Sequence, residues 1–145
     1  MIALAADHGG YSLKEAVKEY LDENKIEYKD FGSFTGEACD YPEKAKEACL
    51  SVTNGECEKA LLFCGTGIGI SMAANKIKGI RAACCSDYFS AKFTRLHNDA
   101  NALCLGGRVV GAGLAIELVD VFLKTEFEGG RHARRVSKIM DLENI

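Results

Sequence analysis

Short runs of apolar residues alternate with amphipathic helical patterns along almost the whole chain. Each run has the length of a buried strand, and the stretches between runs carry the apolar spacing of helices. The predicted strands span residues 2–6, 28–31, 59–63, 81–85 and 102–105. Because strand and helix alternate strictly, the pattern predicts an α/β fold in which helices flank a five-stranded, mostly parallel sheet.

The connections between these strands limit how the sheet can be ordered. Right-handed crossovers favour a doubly wound sheet, and we expect the strand order 2-1-3-4-5. In such a sheet, a ligand binds at the carboxyl ends of the two neighbouring strands between which the strand order reverses. Those are the first and third strands here, so the loops at residues 7–10 and 64–69 are predicted to form the site.

Several residues mark where helices are expected to begin or end. Ser12 and Glu15 have the spacing of a capping box, which predicts that the first helix opens at Ser12. Pro42 suits the first turn of the second helix, which should end before Asn54. The last helix is expected to begin near Gly130.

Composition predicts one globular domain covering residues 1–145. Apolar residues make up 48% and charged residues 27% of the chain, which argues against disorder. The net charge of −3 argues against a nucleic-acid or membrane-surface partner, so an anionic ligand would need a local cationic cluster. The first residues lack the basic region of a signal peptide, and no segment is long enough to cross a bilayer. We therefore expect a cytoplasmic protein.

The chain has seven cysteines, an odd number with no C-x-x-C pair. This pattern is a poor match to a disulfide framework or a zinc site, and no metal is predicted. Most of these thiols are expected to be reduced and packed as small hydrophobic residues. Cys64 differs from the others because it lies between a predicted strand and a glycine-rich loop.

The glycine-rich loop after the third strand carries the main chemical signal. Gly65, Gly67 and Gly69 occupy alternate positions, which allows backbone amides to point at an anion. Such a turn can also serve only to pack a helix on a strand. A thiol at the end of a strand and the start of a helix is expected to have a lowered pKa. Cys64 is therefore a candidate base or nucleophile.

Two other loop chemistries fit this spacing less well. A cysteine phosphatase loop requires arginine where this chain has Ile70, which removes that interpretation. A dinucleotide fingerprint requires G-x-G-x-x-G followed by an acid about 20 residues later. The loop is one residue too short for that pattern, but Asp87 lies near the expected distance, so nucleotide binding stays open as an alternative.

Basic side chains in the last third of the chain are candidates to hold a phosphate. Arg131 and Arg135 are four residues apart and share a face of the last predicted helix, and Arg108 follows the fifth strand. Guanidinium groups pair bidentately with phosphate oxygens, although an arginine pair can equally be a solvated helix face. His97 lies at the end of a helical pattern, where it can be a catalytic group or can serve only to stabilise the helix C-terminus.

Together these motifs resemble ribose-5-phosphate isomerase type B and its wider family, which includes allose-6-phosphate and galactose-6-phosphate isomerases. The matching motifs occur in order and span nearly the whole chain. They are Asp7-His8-Gly9-Gly10, Asp40-Tyr41-Pro42, Cys64-Gly65-Thr66-Gly67-Ile68-Gly69, Ala73-Ala74-Asn75-Lys76, His97-Asn98-Asp99, Gly107-Arg108-Val109-Val110-Gly111 and Gly129-Gly130-Arg131-His132 with Arg135.

The resemblance implies a cofactor-independent aldose–ketose isomerase with a Rossmann-like three-layer fold. Cys64 would move a proton between C1 and C2 of the open-chain sugar, and His97 would open the furanose ring with help from Thr66. The resemblance also implies three sets of substrate contacts. They are the backbone of Gly65, Gly67, Ile68 and Gly69 for the enediolate, Asp7, Tyr41 and Asn98 for hydroxyls, and His8, Arg108, Arg131 and Arg135 for the phosphate. His132 and Arg134 are left outside the site.

The resemblance further implies a homodimer, or a dimer of dimers, whose subunits complete each other's sites. Ribose 5-phosphate and ribulose 5-phosphate are the expected substrates. One branch of the family lacks the cysteine and carries glutamate where this chain has Ile70, so the chain resembles the cysteine-dependent branch. The cysteine is not the rule among galactose-6-phosphate isomerase subunits, which disfavours that substrate. Allose 6-phosphate isomerisation and a non-catalytic sugar-phosphate or nucleotide-binding module remain alternatives.

Overall fold

The computed structural model describes all 145 residues, and its strands and helices alternate as predicted. The five strands are β1 Ile2–Ala6, β2 Tyr28–Asp30, β3 Lys59–Cys64, β4 Ala82–Cys84 and β5 Ala102–Gly106. The six α-helices are α1 Tyr11–Glu23, α2 Tyr41–Thr53, α3 Ile68–Ala74, α4 Tyr88–Asn98, α5 Ala112–Lys124 and α6 Arg131–Asp141. A short 3-10 helix, Leu142–Asn144, follows α6.

All strand pairs are parallel, and their order across the sheet is β2-β1-β3-β5-β4. The predicted order 2-1-3-4-5 is therefore wrong in its last two positions. All five residues of β5 are buried, which suits a strand between two neighbours. The three residues of β4 are half-buried or exposed, which suits an edge. As a result, β5 lies beside β3, the strand that ends at Cys64.

Helices cover both faces of this sheet, which confirms the predicted three-layer α/β class. α1, α4 and α5 pack over a core that includes Leu4, Phe63 and Phe122. α2 and α3 pack over a second core, on the opposite face, that includes Leu62 and Ile70. α6 packs mainly against α4. No helix combines the length and the apolar character that a membrane span requires.

Helix α1 begins at Tyr11, and its N-cap is Gly10 rather than Ser12. The predicted capping box is wrong because the backbone enters the helix before Ser12, which therefore lies inside the first turn. Free amides just before the helix bind a different side chain. The Oδ1 atom of Asp7 accepts the N–H of Gly9 at 2.8 Å and that of Gly10 at 3.1 Å.

Two other helix boundaries confirm their sequence signals. α2 carries Pro42 in its first turn and ends at Thr53, directly before Asn54. α6 begins at Arg131, directly after Gly130. Turn residues therefore located these ends correctly, whereas the capping-box pattern did not.

A buried ion pair joins α1 to the end of β2. The Lys14 side chain is fully buried, and its Nζ lies 2.5 Å from Asp30 Oδ2. Lys18 Nζ donates to the same oxygen at 2.9 Å, and the Gly32 amide donates to Oδ1 at 2.8 Å. Burial alone would raise the pKa of Asp30, but these hydrogen bonds outweigh burial and hold the pKa below its usual value.

We expect Asp30 to account for part of the loss of stability in acid. A carboxyl whose pKa is lower in the folded chain contributes stability above its unfolded pKa of about 4. That stability is lost as the pH falls through the folded pKa. Asp30→Asn should therefore lower the free energy of unfolding at pH 7 and make it fall less steeply below about pH 4.

Urea unfolding at a series of pH values measures this effect. Asp141→Asn is the control, because Asp141 is exposed and forms no ion pair, and it should keep the wild-type acid dependence. If Asp30→Asn and the wild type lose stability with the same slope, Asp30 makes no such contribution.

Candidate active site

Cys64 is the last residue of β3, and it is only 4% exposed. The chain then turns through Gly67, whose φ of 80° lies in the left-handed region, and α3 begins at Ile68. This turn places the Gly67 N–H 3.1 Å from the Cys64 Sγ. An amide that donates to sulfur stabilises negative charge there, and the thiolate is the form that acts as base or nucleophile.

The loops after β1, β3 and β5 meet around this thiol. The first two are adjacent because β1 and β3 pair along their length, which confirms the predicted meeting of these loops. The third is tied by backbone hydrogen bonds to the loop after β3, residues 64–69, which we call the thiol loop. Gly107 N–H donates to the Cys64 carbonyl at 2.8 Å, and Arg108 N–H donates to the Gly65 carbonyl at 3.0 Å. Its position follows from the pairing of β5 with β3, which the predicted strand order had missed.

These loops cross so closely that only glycine fits at the crossing points. A Cβ at Gly9 would lie 2.9 Å from the Gly65 nitrogen, and a Cβ at Gly106 would lie 2.8 Å from the Thr66 Cα. Real Cβ atoms do not approach backbone atoms this closely. The glycines therefore let three backbone segments converge on one point.

Asp7 and His8, both predicted to bind substrate, follow β1. Asp7 is 7% exposed, and its Oδ2 makes no hydrogen bond within the chain, so this oxygen can accept from a ligand hydroxyl. His8 is exposed, and its Nδ1 accepts the Cys39 N–H at 3.4 Å. That bond leaves the His8 Nε2 free to contact a ligand.

Tyr41 and Arg108 border the thiol loop with their side chains. A Cβ on Gly69 would lie 2.8 Å from the Tyr41 hydroxyl, so the phenol covers the start of α3. A Cβ on Gly65 would lie 3.4 Å from Arg108 Nη1, so the guanidinium covers the start of the loop. Both predicted substrate-binding side chains therefore lie beside the thiol loop.

The loop itself offers several hydrogen-bond donors. Thr66 Oγ1 accepts the Ile68 N–H at 3.1 Å, which leaves the hydroxyl proton free to be donated. The amides of Gly65 and Gly69 donate to no acceptor in the chain. Unpaired N–H groups beside a buried thiol are suited to hold an oxyanion.

His97 and Asn98 end α4, and neither shares a hydrogen bond or an ion pair with residues 64–69. They line a cleft of about 410 Å³ together with Cys84. The Cys84 Sγ lies 3.8 Å from the Thr66 carbonyl, so the cleft extends from His97 toward the thiol loop. Within one chain, however, no hydrogen bond or ion pair joins His97 or Asn98 to Cys64.

Arg131 and Arg135 are exposed on α6, and neither forms an ion pair. Their spacing places them on one flank of the helix, beside the buried His132 and Val136. Arg134 points away from that packed side. The predicted phosphate ligands therefore fall into two groups, one beside the thiol loop and one on α6.

His132, which sequence reasoning left outside the site, packs directly on His97. The two imidazole rings stack with their centroids 4.0 Å apart and their planes at 10°. Burial, and then the charges of His97 and Arg131, lower the pKa of His132, which favours its neutral ring. The packing of α6 on α4 creates this contact, and the residues between the two helices carry no signal for it.

Cys84 is a further residue that sequence reasoning missed. It is exposed at the end of the edge strand β4, and its Sγ would lie 3.1 Å from a Cβ on Gly67. A larger cleft of about 630 Å³ lies between α4, α6 and the segment that joins α3 to β4. It contains Asn98 but no other predicted site residue, and none of the clefts in the chain is lined by Cys64.

Fold and site together define a class of protein. A doubly wound parallel sheet carries, at the carboxyl ends of β1, β3 and β5, a buried thiol, unpaired amides and a carboxylate. Polar groups that converge at this edge of an α/β sheet bind small ligands. A thiol beside unpaired backbone amides is typical of an enzyme that transfers protons or acyl groups.

Residues 2–139 match the model of the ribose/galactose isomerase family, and the chain belongs to that family. It is 46% identical over 142 residues to ribose-5-phosphate isomerase B of Escherichia coli (strain K12), covering 98% of this chain and 95% of that protein. The resemblance seen in the sequence motifs is thereby confirmed.

Solved structures support the same relationship. Ribose-5-phosphate isomerase B of Clostridium thermocellum has a TM-score of 0.97 at 49% identity, covering 99% of this chain and 97% of that one. Ribose-5-phosphate isomerase B of Mycoplasma genitalium, solved with bound ribulose 5-phosphate, has a TM-score of 0.93 at 41% identity. That match covers 99% of this chain and 95% of the other.

Proposed function

We propose that the protein is an aldose–ketose isomerase that interconverts ribose 5-phosphate and ribulose 5-phosphate. The observation that carries the proposal is the buried Cys64 thiol, which lies 3.1 Å from the Gly67 amide and beside unpaired backbone donors. Relatives named for this activity match nearly the whole chain, and one of them was solved with ribulose 5-phosphate. The chemistry itself needs no cofactor, because it only moves hydrogens within one molecule.

In the proposed reaction Cys64 is the proton-transfer base. Its thiolate removes the proton from C2 of the open-chain aldose, which leaves an enediolate. The hydroxyl proton then passes from the oxygen on C2 to the oxygen on C1, and the thiol returns a proton to C1 to give the ketose. Negative charge develops on the oxygen at C1, where the amides of Gly65 and Gly69 hold it. A donor of this kind lowers the activation barrier by about 3 kcal/mol. Asp7 Oδ2 and the Tyr41 hydroxyl orient the sugar hydroxyls.

We further propose that a second copy of the chain completes the site. Ring opening and phosphate binding require His97 and the α6 arginines near Cys64, yet they belong to a separate group within one chain. A two-fold dimer can place α4 and α6 of one subunit against the thiol loop of the other. Exposed apolar side chains on α3 and α4 support such an interface, since Ile68, Met72 and Phe89 are 51%, 65% and 67% exposed.

The amides of Gly67 and Ile68 are taken by Cys64 and Thr66, and the other predicted site residues have roles in this dimer. His97 of one subunit opens the furanose ring with help from Thr66 of the other, and Asn98 binds a sugar hydroxyl. The phosphate is held by groups from both subunits, namely His8, Arg108, Arg131 and Arg135. A tetramer made of two such dimers would contain the same site.

Solvent exchange tests the proposed reaction. Incubation with ribose 5-phosphate in deuterated water should yield ribulose 5-phosphate and place deuterium at the carbon that exchanges its proton. A sugar-phosphate or nucleotide sensor would bind without exchange, so bound substrate with no deuterium would contradict the isomerase. A higher kcat/KM for allose 6-phosphate than for ribose 5-phosphate would mean that the protein catalyses the same reaction with allose 6-phosphate as its substrate.

Removing one α6 guanidinium should weaken phosphate binding. Hydrogen bonds to charged groups contribute about 1.5–3 kcal/mol, so Arg135→Ala should raise KM for ribose 5-phosphate about 10- to 100-fold. Arg134→Ala is the matched control, because Arg134 is the neighbouring exposed arginine on the other side of α6, and its KM should stay near the wild-type value. Steady-state kinetics measure both, and equal effects in the two variants would argue for general electrostatic attraction only.

We also propose a cytoplasmic location. All seven cysteines are free thiols, and five of them are buried. Such usage is typical of proteins in reducing compartments.

A further inference from the structure

Three potential metal ligands meet where α4 packs against α6. They are His97, Glu128 and His132, and their donor atoms all lie within 4.8 Å of one another. His97 Nε2 is 3.7 Å from Glu128 Oε2, and His132 Nε2 is 3.9 Å from Glu128 Oε1. Two ligands that share a tetrahedral zinc ion, each at about 2.1 Å, lie about 3.4 Å apart. The rings stack nearly parallel, so one or both must rotate out of the stack for the two nitrogens and the carboxylate to meet at one ion.

The buried nitrogen of His132 is an independent sign of a ligand. His132 is 5% exposed, and its Nε2 has no hydrogen-bond partner. Buried polar atoms without partners are uncommon in native structures, and each needs an explanation. The Glu128 carboxylate is too far from either ring to form a hydrogen bond, so a gap separates it from both nitrogens. An ion in that gap would satisfy all three groups.

We propose that His97, Glu128 and His132 bind a divalent transition-metal ion of the Zn²⁺ type, and that the bound ion inhibits the isomerase. Imidazole nitrogens with one carboxylate are a ligand set that Zn²⁺ prefers. The Glu128 side chain is 52% exposed, which leaves water access to a fourth coordination position. A metal-bound His97 Nε2 cannot exchange a proton. The inhibition therefore rests on the proposed function, whereas the metal site itself does not.

The surrounding charge indicates reversible binding rather than a permanent ion. Arg131 is next to His132 in sequence, and Arg135 lies one turn further along the same helix. Positive charge this close weakens the binding of a cation. The metal would thus act as an inhibitor, and the proposed isomerisation would still proceed without it.

Cobalt(II) is the probe that separates this site from the cysteines. The seven free thiols can also bind Zn²⁺, so zinc uptake alone would not identify the ligands. Cobalt–thiolate bonds give intense near-ultraviolet charge-transfer bands, which nitrogen and oxygen ligands do not. We expect the wild-type protein to bind one Co²⁺ per chain with visible bands but no thiolate band, and Zn²⁺ should displace it.

Matched variants test which residues hold the ion. Glu128→Gln should weaken Co²⁺ binding at least about tenfold, equivalent to 1.4 kcal/mol. Glu126→Gln removes an exposed carboxylate two residues away and should leave the affinity unchanged. His132→Phe keeps a stacked aromatic ring and removes the ligand, so it should match Glu128→Gln. If His132→Phe fails to fold, the exposed Glu128→Gln decides alone. Unchanged Co²⁺ affinity in Glu128→Gln, or thiolate bands in the wild type, would overturn the site.

Turnover measurements test the inhibition separately. Zn²⁺ should inhibit the wild type and Glu126→Gln in parallel with occupancy, and Glu128→Gln should need at least about tenfold more Zn²⁺ for the same fractional inhibition. Equal zinc sensitivity in all three proteins would place the action elsewhere, for example at a thiol, and would overturn the inhibitory role. A wild type without isomerase activity would contradict the proposed function, while the cobalt spectra would still decide the metal site.

Discussion

Cys64→Ala is expected to lower kcat for ribose 5-phosphate by about 100- to 10,000-fold, the range that a positioned base contributes. The thiol is buried at the end of β3, where it accepts the Gly67 N–H and lies beside the unpaired amides of the loop. Binding should change little, because the proposed phosphate and hydroxyl contacts come from other side chains. Stopped or coupled assays give kcat, and calorimetric titration with ribose 5-phosphate gives the affinity.

Cys84→Ser is the control for that experiment. Its sulfur also lies against Gly67, so it is the thiol that could substitute for Cys64 as the base. Partial burial of the Cys84 thiol, and then the nearby Cys64, raise the pKa of Cys84, which disfavours its thiolate. Cys84→Ser should therefore keep most of the activity. The proposed mechanism would fail if Cys64→Ala retained full turnover or if the Cys84 variant were the inactive one.

Gly67→Ala is expected to lower the free energy of unfolding by about 3 kcal/mol. The left-handed φ of 80° costs a residue with a side chain about 1–2 kcal/mol. The added Cβ would also lie 2.9 Å from the carbonyl carbon of Leu105 and 3.1 Å from the Gly106 nitrogen, in backbone that cannot rotate away. Overpacking of this kind costs about 1–3 kcal/mol. The total is a large share of the roughly 5–15 kcal/mol that holds a typical domain folded.

Gly55→Ala isolates the backbone part of that loss. Gly55 also has a left-handed φ, 87°, but a Cβ there would meet no atom within 4 Å. It should therefore lose only the conformational contribution, about 1–2 kcal/mol. Urea unfolding of both variants measures the difference. Equal losses would mean that the loop after β3 can move away from β5 at little cost.

The fold class was predictable because each element carries its own local signal. The apolar run at the start of the chain predicts β1 at Ile2–Ala6, and the structure has β1 at the same residues. Pro42 and Gly130 likewise identified the starts of α2 and α6. These signals depend on residues close together in the sequence, so no knowledge of tertiary packing is needed to interpret them.

Strand order was harder to predict because it depends on competition between strands for the central positions. Crossover rules specify handedness, but they do not say whether the chain skips a position and returns to fill it. β5 carries two leucines and β4 carries none, and this difference in side-chain size, which is visible in the sequence, favours β5 in the centre. The cap of α1 failed for a related reason, since the convergence of loops from three strands, not Ser12, sets where that helix starts.

Some contacts in the candidate site were predictable from the sequence, and others depend on tertiary packing. Asp7, Cys64 and the glycine loop were predictable as neighbours, because adjacent parallel strands bring their loops together. The stack of His132 on His97 was not, since it depends on how α6 docks on α4. Residues on separate helices become neighbours through packing, and single-sequence periodicity does not encode their distance.

The position of β5 between β3 and β4 also affects how the chain matures during synthesis. β4 pairs only with β5, so Ala82–Cys84 has no neighbouring strand until residues 102–106 have left the ribosome. The strand that joins the edge to the rest of the sheet is also the last one made. A nascent chain that stalls before residue 102 would expose two unpaired strand edges, one on β3 and one on β4, which are templates for aggregation. The geometry that ties Arg108 to the thiol loop thus makes the site one of the last parts of the protein to form.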